Sequence, residues 1–159
     1  MRALIFISAL ALAACSPPAE QAAPEASVAA APAVDPAIAA VVSAAMPGVT
    51  IVRGESDGEG EFEVTGTLNG QEYEFDLMGP DGGWRVTEIQ RDIAWADTPE
   101  AVRAVVTAAP NAFEPARVIE SRQLVDTSVV YIVYALGADT PVMEVRLLDG
   151  EAAILPPAH

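Results

Sequence analysis

The sequence contains no lysine. Its eight basic residues are all arginines, set against 23 acidic residues, and the formal net charge is −15. Neutralising a nucleic-acid backbone needs a basic patch that such a chain cannot assemble, so nucleic-acid binding is excluded as a function class. Cysteine and histidine occur once each, as Cys15 and His159. That scarcity removes a disulfide framework, a zinc site built from Cys and His, and most Cys-His chemistry, and the chain is expected not to be an enzyme. What is abundant is apolar: 52% of the 159 residues are hydrophobic, enough for a folded part of one ordinary domain or two very small ones.

The hydrophobicity is unevenly spread. The start, MRALIFISALALAACSPP, carries one positive charge at Arg2, an apolar run over residues 3–14, and then Cys15 and Ser16. That order reads as an export signal, and the run is too short for a permanent membrane span, which takes about 20 residues. Leu12-Ala13-Ala14-Cys15 resembles the lipobox of bacterial lipoprotein signal peptides. The resemblance implies cleavage before Cys15 and attachment of lipid, palmitate included, to its sulfur and new amino group. Ser16 after the cysteine implies an outer-membrane address, with the chain lipid-anchored and facing the periplasm. Residues 1–14 are thus read as signal peptide. Residues 15–33 are read as the lipidated Cys and an Ala/Pro-rich tether, since Pro17, Pro18, Pro24 and Pro32 interrupt any helix and no aromatic residue is present to form a core.

The remainder, 34–159, repeats itself. PAIAAVVSAAMP at 36–47 aligns with PEAVRAVVTAAP at 99–110, a shift of 63 positions with both prolines in register. Each segment predicts a short helix with proline in its first turn and another just past its end, with Asp35 and Thr98 as N-caps. Strand-like segments follow each helix: 49–53, 61–68, 71–78 and 84–90 in the first half, 116–124, 128–136, 142–148 and 152–155 in the second. Asn69-Gly70 is the sharpest turn signal. Across it Phe62 and Val64 alternate with Glu61 and Glu63, and Tyr73, Phe75 and Leu77 with Glu72, Glu74 and Asp76, giving one apolar and one acidic sheet face. The expected fold is α+β, with two tandem helix-plus-antiparallel-meander repeats, 34–96 and 97–159. Each repeat is expected to pack one short helix on a three- to four-stranded sheet, and the two units either share a continuous sheet or pack side by side.

A helix followed by an antiparallel meander, carried here by residues 37–48, 61–78 and 81–89 and echoed at 100–111, 129–136 and 141–154, resembles the PepSY-like family of secreted bacterial domains. The tandem arrangement is similar to the beta-lactamase inhibitor protein architecture. These resemblances imply a binding or hydrolase-modulating role in the envelope.

Few residues stand out as carriers of chemistry. Asp57, Glu59 and Glu61, in the acidic run 55–63, are oxygen ligands of the kind calcium takes, in a stretch that reads equally as a solvated hairpin. Pairs such as Glu61/Glu63 and Glu72/Glu74 lie at i,i+2 on a strand's polar face and are expected to stay ionised rather than act as acid and base. Ser121 and Ser128 have only the terminal His159 as a histidine partner. Trp84 and Trp95 are either core plugs or aromatic anchors for a partner, and Arg85 and Arg91, like Arg117 and Arg122, either pair with strand carboxylates or mark a site for an acidic group. The expected function is that of a non-catalytic, lipid-anchored envelope protein that binds a protein or peptide, with a hydrolase as one such partner. No cofactor is expected beyond the lipid. The second reading is a structural or calcium-binding lipoprotein that uses its acidic sheet and turns.

Overall fold

A computed structural model describes residues 34–58, 60–79, 83–111 and 113–156. The signal segment, Cys15, the tether, Glu59 and His159 lie outside the described residues. In chain order the elements are α1 (Pro36–Ala45), β1 (Thr50–Gly58), β2 (Glu61–Leu68), β3 (Gln71–Met78), β4 (Arg85–Ile93), α2 (Glu100–Ala108), β5 (Pro115–Gln123), β6 (Val129–Ala135), β7 (Met143–Leu148) and β8 (Glu151–Ile154). No described helix is long and apolar enough to cross a membrane.

The strands overturn the expected α+β fold of two helix-plus-sheet repeats, and of the two joins left open, a shared sheet or side-by-side packing, they form the first. All eight form one antiparallel sheet in the order β1 to β8, so the chain is mainly β, with two short helices laid on a single meander. The join is the β4–β5 ladder, which runs from Glu88↔Gln123 to Ile93↔Val118. Alternation within a strand reports which face is buried and is silent about its edges. Pairing β4 with β5 satisfies backbone donors and acceptors that two separate sheets would leave open.

Local chemistry explains most element ends. Asp35 accepts from the Ala37 amide at 2.7 Å, with Pro36 in the first turn of α1. Thr98 does not cap α2; its hydroxyl turns back to donate to the Ala94 carbonyl at 3.4 Å, and Pro99 stands at the N-cap. Thr98 ends a 3-10 turn, Trp95–Asp97, that occupies the boundary drawn at 96/97. Asn69 and Gly70 both have positive φ (53° and 82°), the two-residue turn that matches the right-handed twist of the flanking strands. Asp149-Gly150 repeats it between β7 and β8. The first strand, read from the sequence as 49–53, is longer: β1 continues to Gly58 and β2 begins at Glu61, so the acidic run is largely strand.

Two cores lie under the two helices. Ile38 and Val42 of α1 pack on Val64, Phe75, Leu77 and Ile89; Val102 and Val106 of α2 pack on Val118, Tyr131, Val133 and Val145. Ile89 and Ile93 lie an even number of residues apart on β4, one against each core. Both helices therefore cover the same face of the sheet. The opposite face has no helix on it among the described residues.

A sheet continuous through β4–β5 should unfold in one transition. Phe75→Ala, costing about 3–5 kcal/mol, and Val133→Ala in the other core are both expected to shift the whole denaturation curve. Two separable transitions, each moved by one substitution, would contradict the single sheet.

Candidate functional site

The helix-free face is polar over β2 to β4 and partly aliphatic over β5 to β7. Val64, Phe75 and Leu77 point into the first core, so Glu63, Thr65, Glu74 and Asp76 leave the sheet on the other side. The register Glu63↔Asp76 and Thr65↔Glu74, with Val64↔Phe75 between them facing the core, makes these four residues neighbouring cross-strand pairs on one face. Oxygens of Glu63, Glu74 and Asp76 approach within 4.8 Å of one another, and all three residues are half-buried.

Three carboxylates so close, and partly out of water, hold their protons more tightly than usual. Burial is the largest cause for each, raising the Glu63 carboxyl with Glu55 next, the Glu74 carboxyl with Glu63 next, and the Asp76 carboxyl with Glu88 adding to it. Relief is limited. Arg53 lies 3.8 Å from Glu63 but is held 2.8 Å from the exposed Glu55, and Gln90 Nε2 donates to Asp76 Oδ2 at 3.1 Å.

The polar network continues across the join. The Ser121 hydroxyl donates to Glu88 and accepts from Gln123 Nε2 at 2.7 Å. Ser128 Oγ donates to Asp126 at 2.7 Å, as does the Ser128 amide at 3.0 Å, and these bonds, with Arg146 at 2.8 Å, hold the Asp126 carboxyl below its ordinary range. Both serines are buried and engaged in structural bonds. Further along, Ile119, Val130, Ile132 and Tyr134 form a half-buried stripe on the same face. At its margin Arg117 Nε donates to Asp92 at 2.8 Å, and its guanidinium lies 5.3 Å from the Tyr134 ring centre. An open hollow of ≈ 460 Å³ borders this stripe, lined by Glu88, Ser121, Ser128, Ile132, Glu144 and Arg146 among others.

The residues singled out from sequence are not gathered into one site. Trp84 is half-buried on the first core, edge-on to Phe62 with ring centres 5.8 Å apart and closing over Gly79, where a Cβ would lie 2.9 Å from the indole. Trp95 packs on the second core, beside α2 residues Glu100, Arg103 and Thr107. Arg91 is on the helix-covered face, donating to Glu120 at 2.9 Å, a bond that raises its pKa further; Arg85 is exposed at the start of β4. Asp57 and Glu61 are exposed beside the β1–β2 turn, and Glu59, Cys15 and His159 fall outside the described residues. Sequence reasoning missed Thr65 and the grouping of Glu63 with Glu74 and Asp76. The signal was present: a two-residue turn at Asn69-Gly70 pairs Leu68 with Gln71 and thereby fixes every later rung.

No protein-family model matches the chain, and no curated protein matches it. Among solved structures it is similar to the crystal structure of a Bacteroides eggerthii protein provisionally described as periplasmic. The identity is 16% and the TM-score 0.48, over 76% of this chain and 86% of that one. At that level the likeness bears on neither activity nor location.

A carboxyl whose folded pKa is raised binds its proton more tightly in the fold than in the unfolded chain, so protonation favours the fold. Stability is expected to rise as pH falls from 7 toward the raised pKa values of Glu63, Glu74 and Asp76, above the ordinary carboxylate range near 4. Glu74→Gln should raise the melting temperature at pH 7 and flatten that rise. A steady fall in melting temperature from pH 7 to 5 would contradict the account.

Proposed function

We propose that the chain is a non-catalytic binding module of the bacterial envelope, anchored to the outer membrane by lipid on Cys15 and facing the periplasm. Its helix-free sheet face receives a protein or peptide segment. The observation that carries this reading is the largely aliphatic stripe of Ile119, Val130 and Ile132 with the Tyr134 ring, which lies on the uncovered face of a sheet whose other face is occupied by both helices. A partly apolar surface rimmed by charge is a recognisable pattern for a partner.

The charge selects the kind of partner. With a net charge of −15 the chain repels acidic surfaces, so a segment combining basic and apolar side chains fits the face best. The resemblances noted in the sequence make an envelope peptidase or other hydrolase the first partner class to test. Ser121 and Ser128 favour the non-catalytic reading, since each hydroxyl is buried and committed to a neighbouring carboxylate.

A photo-crosslinking side chain placed at Ile132 in the full chain, in cells, is expected to trap a discrete partner whose yield falls as salt rises; one at Glu100 on α2 should trap little. Equal trapping from both positions, or none at Ile132, would overturn the reading. Cys15→Ser is expected to abolish labelling by radioactive palmitate and to release the chain from the membrane fraction. Persistent labelling would refute lipidation at Cys15.

A further inference from the structure

Thr65 has no place in the binding reading, and it is unusual. It is 4% exposed although it stands on the helix-free face, and its hydroxyl oxygen is fully buried with no hydrogen-bond partner among the described residues. Leaving a buried hydroxyl unpaired costs about 1–3 kcal/mol. Its surroundings are defined by the ladder: Glu63 is two residues before it on the same face, Glu74 is directly across, and Asp76 is across from Glu63. An oxygen that lacks a partner therefore stands beside three carboxylates that lack sufficient counter-charge.

We infer that Glu63, Thr65, Glu74 and Asp76 form a binding site for a divalent cation of the calcium type. Both deficits have the same remedy. A hard cation draws all its ligands from oxygen, and calcium accepts six to eight of them at about 2.3–2.6 Å in flexible geometry. Three carboxylates can supply up to six oxygens and the threonine hydroxyl one more, with water completing the open side. Donor oxygens within 4.8 Å of one another fit around a common ion at those bond lengths. Magnesium is the poorer fit, because it demands near-ideal octahedral geometry and gives up its water reluctantly. The nearest cationic side chain, Arg53, does not fill the role, being 3.8 Å from Glu63 and drawn toward Glu55. The site is separate from Asp57, Glu59 and Glu61 in the neighbouring turn, and from the aliphatic stripe, so it stands or falls without the partner-binding reading.

The test is a calcium chloride titration of the full chain at pH 7 and constant ionic strength, followed by melting temperature and by calorimetry, against a chelator-treated reference. The parent chain is expected to show a saturable rise in melting temperature with a dissociation constant on the order of 10⁻⁴–10⁻³ M, and a smaller response to magnesium chloride. Glu74→Gln and Asp76→Asn should melt higher than the parent in chelator, because repulsion is relieved, yet lose the calcium response. That opposite pair of effects separates ligation from a merely structural role. Thr65→Val should fold at least as well without calcium and bind it several-fold more weakly, while Glu61→Gln should leave the response intact. The inference is overturned if millimolar calcium produces no saturable shift. It is equally overturned if the shift survives in Glu74→Gln and Asp76→Asn, or if Glu61→Gln removes it.

Discussion

The hydrogen-bond ladder between β4 and β5 determines what the rest of the molecule can be. It carries the alternation of one meander into the next without a change of face, so that Ile89 reaches the core under α1 and Ile93 the core under α2. Both helices are then committed to one side. The other side becomes a broad surface across all eight strands that no described element covers, and every feature with functional interest on the polar face follows from that asymmetry.

That surface is divided in its chemistry. Toward β2 and β3 it crowds carboxylates in a partly buried setting, and toward β5 and β6 it presents aliphatic and aromatic side chains beside Arg117. The acidic part is unfavourable to the isolated fold at neutral pH, since burial and mutual repulsion both oppose ionisation there. Proteins accept such local costs where a bound species is to relieve them. Elsewhere the same residue types are well compensated, as Asp126 in the β5–β6 turn is by Ser128 and Arg146, and Glu120 on β5 by Arg91. The contrast singles out the Glu63, Glu74 and Asp76 group more sharply than its charge alone.

Much of the local structure was legible in the sequence. Proline spacing located both helices, Asp35 served as its cap, and the Asn69-Gly70 turn determined the β2–β3 register. Strand limits in the second half differ from the sequence reading by about one residue at each end. What periodicity could not report was edge pairing, so a continuous sheet and two sheets packed side by side both stayed open until the β4–β5 ladder joined them. The first strand was read as ending at residue 53, but pairing with β2 extends β1 to Gly58. Thr98 sat where a cap was needed and instead closed a 3-10 turn. The candidate cation site was half legible: the register that assembles it follows from the turn, while the burial of Thr65 on a face that no helix covers has no signature in the chain itself.

Amide hydrogen exchange across β4 and β5 tests the central claim most directly, because the join should be an interior ladder rather than a contact between two edges. The account predicts that backbone amides bonded across the ladder from Glu88↔Gln123 to Ile93↔Val118 exchange as slowly as those between β2 and β3. Exchange at the join as fast as at the free edge of β8 would contradict it and separate the molecule into two sheets.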